Sequence, residues 1–361
     1  MSTPQFHTLQ VIDVRNETNS CVSVSFDIPT ALKDVYSYQA GQYITFKKEI
    51  GGEELRRSYS LCSSPLEQDF RVAIKQVHEG KFSTYVCTQL KKGDWIDVMT
   101  PMGNFTTAIN PTASKNYMAF VAGSGITPVM SLMKTILATE SESTFTLVYG
   151  NQNLHSIIFK EDIEALKNKY MGRLHVIHVL SREKLETDIN NGRINHEKCT
   201  QLFSGLLELK KMNHFFMCGP EEMIVSVKEY LLAQDVDEKA IHFELFTAAG
   251  SKNKQYDWKE SHQEDNEKLC TVTIKVDDRT YDIKLAYGGD NILDAALKSG
   301  ADLPYACKGG VCCTCRAKVI EGEVDMEVNY ALEKEEVAQG FVLTCQAHPK
   351  TERVFIDFDA R

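Results

Sequence analysis

Five cysteines near the end of the 361-residue chain constrain its fold more than any other sequence feature. Four lie within "CKGGVCCTC", residues 307–315, and the fifth, Cys345, stands alone in "VLTCQ". Cys307, Cys312 and Cys315 have the spacing C-x4-C-x2-C, with Cys345 as a remote fourth thiol. This spacing is typical of the plant-type [2Fe–2S] ligand set, in which one tight loop supplies three thiolates and a distant thiolate completes the set.

The residues around these cysteines favour the same interpretation. Gly309 and Gly310 allow the loop to bring backbone N–H groups close to the sulfurs. Cys313 does not fit the spacing when it replaces Cys312, so we interpret it as a small packing residue. Structural zinc usually needs two C-x2-C pairs, a Rieske centre needs two histidines, and a [4Fe–4S] site needs C-x2-C-x2-C. None of these patterns is present, so the predicted metal ligands are Cys307, Cys312, Cys315 and Cys345.

The composition limits the partners and the location of the protein. A net charge of −10 argues against nucleic acid or an anionic membrane as partner, since both attract positive charge. The first residues, "MSTPQFHTLQ", do not have the pattern of a signal peptide, and no apolar stretch reaches the ~20 residues of a membrane span. Eleven cysteines rarely indicate disulfides in such a chain. We therefore expect a cytoplasmic protein with neither a nucleic-acid nor a membrane partner.

The periodicity of the apolar residues divides the chain into three blocks and a connecting segment. Residues 1–109 contain short alternating runs such as "CVSVSFDI" and "FRVAIKQV", which predict an antiparallel β-sandwich or barrel. Residues 110–247 alternate strands with helices, which predicts a parallel α/β sheet with ligands beyond the carboxyl ends of its strands. The polar stretch 248–267 is interpreted as a linker. Residues 268–361 predict a compact α+β domain with a hairpin that turns at Asp277 and Asp278, a helix whose N-cap is Asn291, and the cysteine loop.

Three turns in the middle block are candidates for binding a dinucleotide. "VAGSGITP" lies between a strand and a helix, where free N–H groups and the helix dipole favour a pyrophosphate. "VLSRE" offers a hydroxyl and a guanidinium that suit the 2′-phosphate of NADPH. "FMCGPEEM" ends another strand, with its cysteine expected against a nicotinamide ring. The candidate residues are Gly123, Ser124, Gly125, Thr127, Ser181, Arg182, Cys218, Gly219 and Pro220.

Two motifs in the first block suit a flavin. In "RRSYSLCSSP", Arg57 is expected to bind a diphosphate, Tyr59 to stack on a flat ring, and Ser60 to hydrogen-bond a ring nitrogen. "GKFS", residues 80–83, is expected to form a glycine turn whose N–H groups meet the same diphosphate.

These motifs, in this order, resemble those of the ferredoxin–NADP reductase superfamily, and in particular oxygenase reductases that carry a C-terminal ferredoxin domain. The resemblance implies an FAD-binding antiparallel β-barrel, an NAD(P)H-binding α/β domain with a parallel sheet, and an α+β domain of the β-grasp type. "RSYS" is similar to the flavin signature of the family, and "GKFS" to its diphosphate turn. The FAD contacts that the resemblance implies are Arg57, Ser58, Tyr59, Ser60, Ala73, Ile74, Lys75, Lys81, Phe82 and Ser83.

The resemblance also implies a function. Electrons are expected to pass from NADPH to FAD, then to the [2Fe–2S] cluster, and then to an oxygenase protein, with Tyr59, Ser60 and Cys218 beside the reacting rings. NADH stays an alternative, because plant-type reductases carry a Lys and a Tyr where this chain has Asn190 and Gly192. The alternative functions are a reductase for a Rieske dioxygenase or for an alkane or xylene monooxygenase, a non-catalytic iron–sulfur sensor, and a zinc-stabilised binding module.

Overall fold

The computed structural model of the chain describes residues 4–246 and 268–360. The linker predicted at 248–267 lies outside the described residues. The chain divides into two compact units: the larger unit comprises Phe6–Leu55 and Tyr59–Phe246, and the C-terminal unit consists mainly of the residues that follow. Among the described helices, none has the length and apolar character needed to cross a bilayer. All eleven cysteines are described, and none of them forms a disulfide in this structure.

The first part of the larger unit is a six-stranded antiparallel barrel with the strand order β4-β3-β6-β1-β2-β5. Its elements are β1 (Phe6–Thr18), β2 (Cys21–Asp27), β3 (Tyr43–Ile50), β4 (Glu53–Ser60), β5 (Phe70–Lys75), α1 (Lys81–Thr88) and β6 (Trp95–Met99). A bridge between Leu61 and Val72 joins the chain just beyond β4 to β5 and so closes the barrel. Apolar side chains such as Phe26, Phe46 and Ile74 fill its core. The alternating runs therefore form a barrel, one of the two predicted architectures.

The second part of the larger unit is a five-stranded parallel sheet with the order β11-β10-β7-β8-β9. Its elements are β7 (Asn116–Ala122), α2 (Ile126–Thr139), β8 (Thr144–Asn151), α3 (Lys160–Lys169), β9 (Leu174–Leu180), α4 (His196–Phe203), β10 (His214–Gly219), α5 (Glu221–Ala233) and β11 (Ile241–Leu245). The strand order reverses between β7 and β10. In open α/β sheets this switch point is where ligands bind, beyond the carboxyl ends of the strands.

Helix α2 fastens the parallel sheet to the barrel. Eleven of its fourteen residues are buried, so the helix is covered on almost every side. The hydroxyl of Ser131 donates a hydrogen bond to the carbonyl oxygen of Ser63 at 2.6 Å, and the hydroxyls of Ser64 and Thr135 lie 2.8 Å apart. These buried polar contacts are satisfied within the protein, so they fix the position of α2 without leaving polar groups unpaired.

The C-terminal unit is a mixed five-stranded sheet with the order β13-β12-β18-β14-β16, accompanied by a small sheet of β15 and β17. Its elements are β12 (Leu269–Val276), β13 (Arg279–Ala286), α6 (Ile292–Lys298), β14 (Arg316–Glu321), β15 (Val324–Met326), α7 (Lys334–Ala338), β16 (Phe341–Leu343), β17 (Ala347–Pro349) and β18 (Arg353–Asp357). Strands β12 and β18 are parallel, and the other pairs of the large sheet are antiparallel. The unit has the α+β composition predicted for this block.

Local signals in the C-terminal unit are confirmed residue by residue. The hairpin between β12 and β13 turns at Asp277 and Asp278, whose φ angles of 48° and 57° are left-handed. A two-residue turn of this kind matches the right-handed twist of the flanking strands, and Asp tolerates it better than most residues. Asn291 caps α6, because its Oδ1 accepts a hydrogen bond from the backbone N–H of Asp294 at 2.8 Å.

Candidate functional site

A cavity of about 680 Å³ lies at the carboxyl edge of the parallel sheet. All three predicted turns contribute to its wall. The predicted residues that line it are Gly123, Ser124, Gly125, Ser181, Arg182, Gly219 and Pro220. The cavity lies at the switch point between β7 and β10, and its volume falls within the range of cofactor sites. Its position and size therefore suit a pyridine dinucleotide.

The two glycines after β7 shape the bottom of this cavity. Gly123 has a left-handed φ of 56°, a conformation in which most other residues are strained. A Cβ atom on Gly125 would lie only 2.1 Å from the carbonyl oxygen of Cys218, which shows how closely this turn approaches β10. Only glycine permits this approach, which leaves the start of α2 open towards a ligand.

Two predicted residues lie behind the wall of the cavity. The hydroxyl of Thr127 donates a hydrogen bond to the carbonyl oxygen of Ser124 at 3.1 Å, so it stabilises the turn from within. Cys218 is fully buried in β10, and this burial raises the pKa of its thiol well above the ordinary value. Cys218 is therefore a neutral packing thiol in this state, and Gly219 and Pro220 form the adjacent surface of the cavity.

Three cations line the cavity, and none of them pairs with a carboxylate in the described part of the chain. They are Lys75, at the end of barrel strand β5, together with Arg182 and Arg193. Lys75 extends towards the glycine turn, since its Nζ lies 3.7 Å from the place that a Cβ on Gly123 would occupy. The carboxylate of Glu183 accepts a hydrogen bond from the backbone N–H of Leu154 instead of neutralising Arg182. One carboxylate, that of Glu222, also lines the cavity, so positive charges outnumber negative ones there and favour an anionic ligand.

The flavin motifs lie on the barrel. The ring of Tyr59 stacks at 5.9 Å on that of Phe82 and lies 5.8 Å from that of Phe46. The glycine turn predicted from "GKFS" leads directly into a helix, because Gly80 is the N-cap of α1 and residues 81–83 form its first turn. No side chain caps α1 at Gly80, so its first N–H groups are left available, as a diphosphate requires.

The remaining flavin candidates differ in what they offer. Arg57 donates from Nη1 to the carbonyl oxygen of Arg56 at 2.7 Å, and it pairs with no carboxylate among the described residues. Lys81 forms an exposed ion pair with Glu53 at 2.7 Å. The side chains of Ala73 and Ile74 are buried, so only their backbone groups can face a ligand. The guanidinium of Arg57 and the start of α1 thus fit the diphosphate, and the motif around β5 fits a backbone contact.

Sequence reasoning missed a carboxylate beside Ser60. The hydroxyl of Ser60 donates a hydrogen bond to Oε2 of Glu244 at 3.0 Å, although 184 positions separate the two residues. Glu244 lies in β11, directly opposite Cys218 of β10. Burial raises the pKa of Glu244 to about 7, and the hydrogen bond from Ser60 opposes this shift. The signal would have been the alternating run "IHFEL" after the last helix of the block.

An aromatic residue directly after β11 was missed as well. Phe246 lines the cavity, and its side chain is exposed. An exposed aromatic ring beside a cavity offers a flat apolar surface to a ligand. Phe246 therefore adds an aromatic surface to a wall that also contains the apolar side chains of Ala122, Ile194 and Met223.

The four predicted cluster ligands form two pairs of thiols. The thiol of Cys312 donates a hydrogen bond to the sulfur of Cys307, which lowers the pKa of Cys307 to about 6. The hydrogen bond between Cys315 and Cys345 raises the pKa of Cys315. The backbone N–H of Gly309 also donates to Sγ of Cys307, at 3.3 Å.

This pairwise arrangement matches a two-iron cluster. Within residues 4–246 and 268–360, no three His, Cys, Asp or Glu side chains surround one point as ligands of a single ion would. A [2Fe–2S] cluster needs two thiolates at each iron, which is what two pairs supply. Cys313 lies outside both pairs, and its thiol donates to the carbonyl oxygen of Ala331 at 3.3 Å.

Comparison with protein families divides the chain into three matched segments. Residues 8–107 match the oxidoreductase FAD-binding domain, and residues 120–229 match the oxidoreductase NAD-binding domain. Residues 274–350 match the 2Fe-2S iron-sulfur cluster binding domain. FAD, a [2Fe–2S] cluster and NAD(P)H are therefore the cofactors and the reductant of this chain.

Two relatives match over almost the whole length. The chain is 42% identical to a component of the 1,2-phenylacetyl-CoA epoxidase of Escherichia coli (strain K12), over 99% of this chain and 98% of that protein. It is 32% identical to the ferredoxin reductase component of 3-ketosteroid-9-alpha-monooxygenase from Rhodococcus rhodochrous, over 97% of this chain and 96% of that protein.

Solved structures share the fold. Phthalate dioxygenase reductase aligns with a TM-score of 0.59 at 18% identity, over 98% of both chains. An intact type IV self-sufficient cytochrome P450 monooxygenase aligns with a TM-score of 0.72 at 20% identity, over 97% of this chain and 41% of that one. Both likenesses support the three-part fold described above.

Proposed function

Because the chain belongs to the family of oxygenase reductases, which pass electrons from NAD(P)H through FAD and a [2Fe–2S] cluster to an oxygenase, we propose that its acceptor is the diiron oxygenase of a phenylacetyl-CoA epoxidase. The observation that carries this proposal is the 42% identity to a component of that epoxidase, over 99% of the chain. The 32% identity to the ketosteroid monooxygenase reductase is lower over a similar span. We place the protein in the cytoplasm, where its free thiols stay reduced.

The cavity at the parallel sheet is proposed to hold the nucleotide. The turn formed by Gly123, Ser124 and Gly125 offers N–H groups and the start of α2 to the pyrophosphate. Lys75 adds a positive charge from the barrel side. Ser181 and Arg182, with Arg193 close by, are proposed to bind the 2′-phosphate that distinguishes NADPH from NADH.

The barrel is proposed to hold FAD. When bound, FAD would supply the conversion between the two-electron hydride of NAD(P)H and the single electrons that the cluster accepts. Tyr59 presents its ring to the flavin, Arg57 binds the diphosphate, and the first turn of α1 adds N–H donors. Ser60 orients the carboxyl of Glu244, whose pKa of about 7 allows it to hold a proton near neutral pH. Cys218 is fully buried and is the register partner of Glu244 on the neighbouring strand.

The C-terminal unit is proposed to hold the cluster through Cys307, Cys312, Cys315 and Cys345. These thiols come from one loop and one strand end, so the fold brings the remote ligand to the other three. Backbone N–H groups at the loop stabilise the thiolates. The oxygenase draws its electrons, one at a time, from this unit.

The test is reconstitution with purified oxygenase components. The chain is mixed with the oxygenase of phenylacetyl-CoA epoxidase, phenylacetyl-CoA and NADPH, and the epoxide is quantified. A parallel reaction contains the oxygenase of 3-ketosteroid-9-alpha-monooxygenase and its steroid. We expect turnover with the first oxygenase at least tenfold above that with the second.

Two controls separate the acceptor from the electron path. The Cys345→Ala variant is expected to reduce ferricyanide with NADPH but to support no epoxidation. Ferricyanide reduction by the unmodified chain without epoxide formation would reject the proposed acceptor and leave the reductase activity intact. Faster turnover of the steroid would assign the chain to the other oxygenase.

A further inference from the structure

Gln346, the residue after the isolated cysteine, is a buried amide whose side chain points at the cluster loop. Only 7% of its surface is exposed. A buried amide that lacks hydrogen bonds destabilises the fold, so the partners of this one indicate why it is there. Nε2 of Gln346 has three acceptors: the carbonyl oxygens of Cys345 at 2.8 Å and Lys308 at 3.1 Å, and Sγ of Cys345 at 3.6 Å.

The number of hydrogens decides how these contacts are shared. A side-chain amide has two N–H hydrogens, and here they face three acceptors. One points across to the loop, at the carbonyl oxygen of Lys308. The other is shared between the carbonyl oxygen and the sulfur of Cys345. The same side chain therefore ties the remote ligand to the loop and donates to its sulfur.

The Gln346 side chain has little room to move away from this position. A Cβ on Gly310 would lie 3.2 Å from Cγ of Gln346, so the side chain packs directly against the loop. Its backbone is held on both sides, because its N–H donates to the carbonyl oxygen of Leu343 and its carbonyl oxygen accepts from the N–H of Glu327, both at 2.9 Å. The donor is thus fixed in place before the cluster is reduced.

We propose that the side-chain amide of Gln346 sets the reduction potential of the cluster through its hydrogen bond to the sulfur of Cys345. One electron from the flavin adds one negative charge to the cluster and its thiolates, and no covalent bond forms or breaks. A hydrogen bond to the sulfur stabilises the more negative state, so it raises the potential. Gln346 is a positioning residue, and this inference rests on the proposed ligand set.

The direct test is the Gln346→Leu variant of the full chain with its flavin and cluster bound. Leu keeps the bulk and removes the donor, so the reduced state loses stabilisation. We expect the ratio of reduced to oxidised cluster at a fixed potential to fall about three- to tenfold, the effect of losing one hydrogen bond of ordinary strength. For a one-electron couple this equals a shift of about 30–60 mV to lower potential, measured by a redox titration followed by EPR.

A matched control separates the effect of the hydrogen bond to the sulfur from the effect of losing any buried hydrogen bond near the cluster. Thr344, on the other side of Cys345, is fully buried and donates from Oγ1 to the carbonyl oxygen of Cys315 at 2.9 Å. Thr344→Val removes a hydrogen bond near the cluster but none to a sulfur. We expect the ratio of reduced to oxidised cluster in this variant to stay within about twofold of that in the unmodified chain. An equal shift in both variants would overturn the proposal.

Iron and labile sulfide per chain show whether each variant is loaded. If Gln346→Leu fails to hold the cluster, the nearly isosteric Gln346→Glu takes its place, with an acceptor where the donor was. It is expected to lower the potential at least as far as Leu. A fully loaded variant of either kind with an unchanged potential rejects the role of Gln346. Loss of iron in Cys345→Ala tests the ligand set separately.

Discussion

At the scale of single residues, the charge of Glu244 depends first on its burial and then on the hydrogen bond that it receives from Ser60. Burial raises the pKa of Glu244 from an ordinary 4.5 to about 7. The unfolded chain releases this proton at a lower pH than the folded chain. Between pH 4.5 and about 7 the folded state therefore binds more protons, and the free energy of unfolding falls as the pH rises. Well above pH 7 Glu244 is ionised in both states, so it no longer changes the free energy of unfolding with pH.

The Glu244→Gln variant tests this dependence. Gln cannot ionise, so the free energy of unfolding of the variant should not fall between pH 4.5 and 7 as that of the unmodified chain does. Relative to the unmodified chain, we expect its free energy of unfolding to increase by about 1–3 kcal/mol from pH 5 to pH 8. Urea denaturation at a series of pH values measures the difference. A constant difference over this range would show that Glu244 ionises normally.

Ser60→Ala provides the matched control, because it retains the carboxyl and removes only the bond that lowers its pKa. The decline in stability should extend to higher pH than in the unmodified chain. A shift to lower pH would contradict the assignment of Ser60 as the donor.

Arg182 is predicted to determine the preference for NADPH over NADH. It lines the cavity and pairs with no carboxylate among the described residues. If it binds the 2′-phosphate, Arg182→Ala should raise the KM for NADPH about 10- to 100-fold, since hydrogen bonds to charged groups contribute about 1.5–3 kcal/mol. The KM for NADH should change less than threefold.

Initial rates of ferricyanide reduction measure both constants. Lys184→Ala is the neighbouring control, as Lys184 lies outside the cavity lining. Equal losses with both nucleotides in Arg182→Ala would place this arginine away from the 2′-phosphate.

At the scale of single elements, the turn between β7 and α2 depends on glycine. A Cβ on Gly125 would lie 2.1 Å from the carbonyl oxygen and 2.5 Å from the carbonyl carbon of Cys218. Both atoms belong to the backbone of β10, which cannot yield as a flexible side chain would. The turn and the strand must therefore separate if any larger residue replaces Gly125.

We expect Gly125→Ala to cost about 1–3 kcal/mol of stability, the range typical of overpacking, and to weaken nucleotide binding at least tenfold. Thermal unfolding and the KM for NADPH measure the two effects. Gly205→Ala is the control, because nothing lies within 4 Å of a Cβ there and its φ is not left-handed. That variant should stay within about 0.5 kcal/mol of the unmodified chain. Equal stability of the two variants would refute the contact.

Elements with a strong local pattern could be predicted from the sequence, and those defined by tertiary contacts could not. The runs of β7 to β10 and the cap at Asn291 carry their own periodicity or chemistry, and they are found where predicted. Helix α1 has only eight residues, too few for a clear helical pattern, so the sequence indicates only a glycine turn at Gly80. The pairing of Ser60 with Glu244 joins positions 184 apart, and no local pattern shows it. Thr127 has the right type and place, but its hydroxyl is used within the turn.

At the scale of the whole molecule, the division into two compact units leads to a prediction about modularity. The barrel and the parallel sheet lie in the larger unit, which ends at Phe246. A chain of residues 1–246 should therefore retain FAD and reduce ferricyanide with NADPH at a rate within about threefold of the full chain. It should fail to support epoxidation, because it lacks all four cluster cysteines.

Steady-state rates with ferricyanide and with the oxygenase measure the two outcomes. Cys345→Ala in the full chain is the control, since it removes one ligand and keeps the C-terminal residues. Loss of flavin from the short chain, with flavin retained in Cys345→Ala, would show that the larger unit is not independent.

The most direct test of the account is an anaerobic titration of the full chain with NADPH, followed by visible and EPR spectra. We predict that NADPH bleaches the flavin absorbance and that the EPR signal of a reduced [2Fe–2S] cluster appears in the same titration. In Cys345→Ala the flavin should bleach without that signal. A flavin that stays oxidised, or a cluster signal that persists in Cys345→Ala, would contradict an electron path from NADPH through FAD to iron held by these four cysteines.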